Sequence, residues 1–241
     1  MKLNTHLCAA LAAGALTINA QANDRLFTYS YEPETMPAGA MEYEQWVTLR
    51  SMRNQAVGQS NFARWDIRSE LEYGVTDRYT VSLYLNGKSQ SFRDPATGLD
   101  NSKFTFEGIS LENRYQILNA AEKPVGLTLY LEPRFSGVET ELEQKIILGQ
   151  RHGKWKWALN LTHATEWDHQ AHKTEGELEA SFGIARLLNK RWALGLEVRD
   201  HNELPEYKKW ENTALYLGPV LSYRNDSLDG DAANLRRQFR W

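Results

Sequence analysis

One stretch restricts the possible folds of this chain more than any other. It runs Arg64-Trp65-Asp66-Ile67-Arg68-Ser69-Glu70-Leu71-Glu72-Tyr73, passes through Gly74-Val75-Thr76-Asp77-Arg78, and returns as Tyr79-Thr80-Val81-Ser82-Leu83-Tyr84-Leu85. Read with a period of two, Trp65, Ile67, Leu71 and Tyr73 share one face, and Arg64, Asp66, Arg68, Glu70 and Glu72 share the other. This is a β-hairpin with two chemically opposite faces. In a soluble sandwich the apolar face looks into a core. In a membrane barrel it meets lipid, and the charged face meets a lumen.

The aromatic residues favour the barrel. Tyr73 and Tyr79 bracket the short turn, and Tyr115, Trp155, Trp157, Trp192 and Tyr223 lie beside other short connections or strand ends. Aromatic residues gathered at one level of an up-and-down array form the interfacial girdle of an outer-membrane barrel. A mean hydropathy of -0.59 and the lack of a long apolar run after the first twenty or so residues exclude a helical membrane protein.

Residues 1–22 read as a secretory signal peptide, with Lys2, an apolar stretch from Leu7 to Ile18, and the small-x-small site Ala20-Gln21-Ala22. The only cysteine, Cys8, lies within it and has no lipoprotein box around it, so neither a lipid anchor nor a disulfide is expected. Loss of Lys2 takes the formal net charge from -3 to -4, and no basic patch points to nucleic acid. Residues 23–40 read as a polar, periplasmic lead-in that Pro33 and Pro37 keep out of any long strand. The barrel is expected to occupy residues 41–241.

Within the lead-in and the strand after it, Thr35-Met36-Pro37-Ala38-Gly39 follows a Tyr/Glu-rich run (Tyr29-Ser30-Tyr31-Glu32-Pro33-Glu34) and precedes Glu42-Tyr43-Glu44-Gln45-Trp46. This order resembles the N-terminal signature of an uncharacterised family of proteobacterial outer-membrane β-barrel proteins, a transporter-like domain of unknown function. The resemblance extends to Leu217-Gly218-Pro219-Val220-Leu221-Ser222-Tyr223. It implies a barrel of unknown, transport-related function and brings no catalytic residues.

From Met41 onward the alternation predicts an all-β, up-and-down antiparallel transmembrane β-barrel of about 10–12 strands. Strands are expected at 41–52, 62–73, 79–90, 104–115, 125–136, 139–150, 155–166, 174–187, 192–200 and 210–223. Their apolar faces carry Leu127, Leu129 and Leu131; Leu142, Ile146 and Leu148; Trp157, Leu159 and Leu161; Leu178, Phe182 and Ile184; and Leu194, Leu196 and Val198. Short turns (74–78, 116–124, 151–154, 188–191) are expected to alternate with longer loops (53–61, 91–103, 167–173, 201–209), the tight link near Gly137 being the exception.

The opposite faces carry a ladder of charge. Its members are Glu42, Glu44, Arg50, Arg64, Asp66, Arg68, Glu70, Glu72, Glu112, Arg114, Glu132, Arg134, Glu141, Glu143, Lys145, Glu175, Glu177, Glu179, Glu197 and Arg199. Pointing inward, carboxylates and guanidiniums pair in a narrow lumen. The ladder either fills and stiffens the interior or lines a path for a small solute, and its mixed signs favour filling.

Three functional readings follow. The first is a non-enzymatic channel or transporter for an unknown small solute. The second is an envelope-lipid-modifying enzyme using the loop Thr162-His163-Ala164-Thr165-Glu166-Trp167-Asp168-His169-Gln170-Ala171-His172, where imidazoles and carboxylates could also hold a metal. The third is a structural barrel with a salt-bridged lumen. No nucleotide loop, zinc motif or nucleophile elbow is present in the sequence, and no cofactor is expected. The expected partners are outer-membrane lipids and the barrel-assembly machinery.

The C-terminus is less regular. Ala233, Leu235, Arg237, Phe239 and Trp241 alternate after a polar segment, 224–231, that is too short to cross a membrane. An eleventh strand breaks the even count of single-chain bacterial barrels. Poor insertion is therefore expected, relative to a chain given a further alternating strand after Tyr223.

Overall fold

The computed structural model describes residues 25–51, 62–94, 96–207, 210 and 212–223. The signal reading (1–22), the loop at 53–61 and the alternating C-terminus (233–241) fall outside these residues.

Among the described residues ten strands follow in chain order: β1 (Met41–Ser51), β2 (Ala63–Thr76), β3 (Tyr79–Arg93), β4 (Asp100–Leu118), β5 (Gly126–Phe135), β6 (Glu139–His152), β7 (Trp155–Asp168), β8 (Lys173–Leu187), β9 (Trp192–Leu204) and β10 (Asn212–Tyr223). Each pairs antiparallel with the next in a single sheet ordered β1 to β10, the all-β, up-and-down arrangement that the alternation predicts. A 3-10 turn, Pro205–Tyr207, precedes β10. Among the described residues β1 and β10 form the two edges of the sheet.

Pairing continues past the ends expected from sequence. β4 begins at Asp100 and β7 runs to Asp168, so the expected loops at 91–103 and 167–173 shrink to short links. The connection between β4 and β5, expected to be short, is longer than either. The sorting of connections into short and long is therefore weaker than the sequence suggests. Polar residues at strand ends cost little when their backbone groups still find ladder partners, so composition misplaces those ends.

The faces fall as expected. In β2 Glu70, Glu72 and Gly74 are buried, whereas Trp65, Leu71 and Tyr73 are exposed. Leu129, Leu131, Ile146, Leu161, Phe182, Ile184, Leu194 and Leu196 are likewise exposed on the outer face. Tyr73, Tyr115, Trp155, Trp192 and Tyr223 form an exposed band at one end, with the Trp192 and Tyr223 rings 4.6 Å apart and tilted by 47°. At the other end Trp65, Phe104, Phe106, Phe135, Trp167 and Trp210 form a second band, which the sequence reading did not separate out. The buried set is rich in polar groups, including Glu70, Thr80, Ser82, Glu112, Arg114, Thr128 and Asn160. Oil outside and polarity inside is the reverse of a soluble sandwich.

Residues 25–40 form no strand. They lie inside the curl of the sheet, and every strand reaches them. Arg25 meets Glu44 of β1, Pro37 lies against Gly74 of β2, and the Met36 N–H donates to Thr80 of β3. The Pro33 carbonyl accepts from Gln116 of β4 and Thr128 of β5, and the Pro33 ring touches Gly149 of β6. Tyr31 bonds Asn160 of β7, Ser30 bonds Ser181 of β8 and Glu197 of β9, and Phe27 shares a buried cluster with Val220 of β10. Only a rolled sheet can bring ten strands to one short segment. What reads in sequence as a lead-in is a plug.

Gly74 permits the entry of the plug. Its N–H donates to the Ala40 carbonyl and its carbonyl accepts from the Gly39 N–H, and a Cβ here would strike the Pro37 carbonyl. Gly74→Ala is expected to destabilise the fold by about 1–3 kcal/mol, the usual cost of overpacking. Thermal unfolding, followed by the strand signal in circular dichroism, checks this.

Candidate functional site

The plug is held by side chains. The Glu197 carboxylate accepts three consecutive N–H groups, from Thr28 (3.0 Å), Tyr29 (2.8 Å) and Ser30 (2.6 Å). Asn160 engages Tyr31 in both directions, accepting its N–H at 2.6 Å and donating to its carbonyl at 2.9 Å. The Pro33 carbonyl receives Gln116 at 3.0 Å and Thr128 at 2.5 Å. At the entry, Asp77 accepts the Ala38 N–H (2.9 Å).

Small interior residues make the groove. Phe27, fully buried, lies on Gly183 in a cluster with Ala158, Ala185 and Ala193, and Pro33 lies on Gly126 and Gly149. Glu32 accepts the Leu26 N–H at 2.7 Å and lies 3.9 Å from Lys156. Burial raises its carboxyl pKa to about 7, with Lys156 pulling it down and Glu34 pushing it up.

The plug stoppers the end of the interior that carries the turns joining β2 to β3 and β6 to β7, where Asp77 holds Ala38 and Lys156 lies 3.2 Å from Glu34. Above it lies a cavity of ≈ 320 Å³ floored by Tyr29 and Tyr31. Its walls carry ion pairs: Arg68 with Glu132 (2.7 Å), Lys145 with Glu143 (2.8 Å), Arg134 with Glu141 (Nε at 2.7 Å) and Arg199 with Glu179 (Nε at 2.5 Å). Asp66 lies between Arg50 (2.7 Å) and Arg64 (2.5 Å). Aromatic faces take cations as well, with Arg25 3.7 Å from the Tyr31 centroid, Arg68 4.1 Å from Tyr84 and Arg199 4.5 Å from Tyr29.

The predicted ladder therefore divides in two. Glu42, Glu44, Glu70, Glu72, Glu112, Arg114 and Glu197 are buried at the level of the plug, where Arg114 pairs with both Glu72 and Glu112 and Glu70 accepts the Trp46 indole N–H. Arg50, Arg64, Asp66, Arg68, Glu132, Arg134, Glu141, Glu143, Lys145, Glu177, Glu179 and Arg199 line the cavity. Glu175 is exposed near the start of β8.

Several interior groups escaped the sequence reading, among them Arg25, Trp46, Tyr84, Glu107, Tyr130, Asn160 and His201. Tyr84 and Tyr130 were within reach of the same logic, since each continues the inward phase of its strand, after Ser82 and Thr128. The plug residues carry no such period.

The histidine-rich loop does not assemble as one site. His163 meets the Tyr207 hydroxyl at 3.3 Å, and Glu166 instead approaches Arg134. His169 bonds Thr140 at 2.9 Å, and Asp168 is occupied by the N–H groups of Gln170 and Ala171. The imidazole that does meet carboxylates is His201, 2.9 Å from Glu177 and 3.3 Å from Glu179. These three could face a metal, with ligand atoms within 4.8 Å of one another. The Arg199 guanidinium already occupies the cation's place, bonded to Glu179 and 3.3 Å from His201.

Fold and interior together define a plugged, up-and-down antiparallel β-barrel-type protein with a charged cavity on one side of the plug. Residues 19–152 match a family of unknown function (DUF6662), and the chain belongs to that family. No curated protein matches it.

Two predictions concern the plug. Glu197→Gln leaves one acceptor oxygen for three donors and should weaken docking by roughly 1.5–3 kcal/mol. Amide exchange at Thr28, Tyr29 and Ser30 should then be about 10- to 100-fold faster, and unchanged exchange would show that the anchor lies elsewhere. Docking should also weaken between about pH 4.5 and pH 7. The plugged state holds a proton on Glu32 through that window, and a displaced plug, with an ordinary carboxylate, does not. Protease accessibility of residues 25–37 should rise with pH, and Glu32→Gln should flatten the profile.

Proposed function

We propose that the protein is a bacterial outer-membrane β-barrel that passes a small polar solute through its lumen, with residues 25–37 as the closure. The two exposed aromatic bands and the aliphatic belt between them support a position in lipid, because water tolerates a contiguous apolar patch of this extent poorly. The signal-like residues 1–22 fit export to that membrane, with envelope lipids and the assembly machinery as partners.

One observation carries the transport reading. The stopper is held by side-chain hydrogen bonds and small-residue contacts and has no place in the strand ladder, so it can leave without breaking the sheet. Water can replace each of those bonds at modest net cost. The enzyme reading is weaker, because His163 faces the Tyr207 phenol and, among the described residues, has no carboxylate hydrogen-bonded to it that would orient it as a base.

The ion-paired walls favour the structural reading as the second choice. Planar-bilayer recording separates the two. The whole chain should be nearly silent, and a variant lacking residues 25–37 should give stable conductance steps. Silence from a deletion variant that still migrates as a heat-modifiable folded barrel would leave the structural reading standing and end the transport one.

A further inference from the structure

The cavity above the plug has two walls of unlike charge. On the β1–β4 side, among the described residues, the lining carries Arg50, Arg64 and Arg68 against two carboxylates, Asp66 and Glu107. Cations are in excess there. On the β5–β9 side the lining carries Glu132, Glu141, Glu143, Glu177 and Glu179 against Arg134, Lys145 and Arg199, so carboxylates are in excess. His201, between Glu177 and Glu179, offsets one of them when protonated. Arg68 reaches across to Glu132 of the opposite wall, and Lys145 pairs with Glu143 within its own.

A field therefore crosses the cavity, and the surrounding protein focuses it. A singly charged ion gains at one wall and loses at the other. A neutral sugar gains little from the field. The aromatic floor that would stack a sugar is also engaged, because Tyr31 carries Arg25 and Lys145 and Tyr29 carries Arg199. A molecule with an anionic end and a cationic end gains at both walls in a single orientation. The volume of ≈ 320 Å³ limits it to a small one.

Resting on the transport reading above, we propose that the cavity takes a small zwitterion, its anionic group toward Arg50 and Arg64 and its cationic group toward Glu141 and Glu177. The probe is triglycine, which carries a free amine and a free carboxylate. Its controls are N-acetyltriglycine, triglycine amide and sucrose. Binding to the whole protein in detergent at low ionic strength is read by ligand-observed NMR and titration calorimetry.

Triglycine should bind, and each blocked analogue should bind at least about tenfold more weakly. High salt should shrink the difference, as expected for partly solvated charges. The double variants R50Q/R64Q and E141Q/E177Q should each abolish the preference. The analogue series on the unmodified protein needs no variant to fold. Equal binding of triglycine and its blocked forms, binding of sucrose with no charge dependence, or no binding of triglycine would each overturn the zwitterion. If the plug-deleted barrel conducts all the same, only the ligand class falls. If it is also silent, the transport reading falls with it.

Discussion

A chain segment buried without a strand partner must find a side chain for each backbone N–H and C=O, or lose the hydrogen bonds that water gave it. Residues 25–37 meet that demand inside the sheet, and much of the interior is explained by it. Glu197, Asn160, Thr128, Gln116 and Thr80 each spend their polar atoms on plug backbone. Gly126, Gly149 and Gly183 supply the space where Pro33 and Phe27 approach the sheet. Remove the plug, and these become weak strand positions with no evident purpose.

The same logic governs the charged groups around it. Arg114 is nearly inaccessible yet lies between Glu72 and Glu112, and Arg68 stacks on Tyr84 while reaching across to Glu132 on β5. Taking such charges out of water is costly, and the cost is offset only where opposite charges and aromatic faces are close. Carboxylates such as Glu42, Glu44, Glu70, Glu72, Glu112 and Glu197 outnumber Arg25, Arg114 and Lys156 around the plug, whereas the cavity lining is close to balanced in total and uneven only between its walls.

Faces and strand order were legible in the sequence because a period of two assigns each residue to a side, as Trp65, Leu71 and Tyr73 against Glu70 and Glu72 illustrate. Strand ends were less legible, because Asp100 to Lys103 keep ladder partners although their composition reads as loop. The plug was hidden for a different reason. Pro33 and Pro37 signal only that no strand forms, and the residues that receive the segment are far away in sequence. Asn160, 129 positions from Tyr31, looks like any polar strand residue. The charged ladder was readable as a list of inward groups. Its division into a filled half and a cavity depended on where the plug comes to rest.

The plug is continuous with β1 through Ala38, Gly39 and Ala40, and Asp77 and Gly74 hold that junction. A stopper released from Glu197 would remain on a leash of thirteen residues, 25–37, with a reach of roughly 45 Å when fully extended. Its return is then an intramolecular encounter governed by an effective concentration in the millimolar range for a short flexible tether, whatever the concentration of the protein itself. Closure would be a property of each single molecule. No second protein would have to be present for the lumen to shut again.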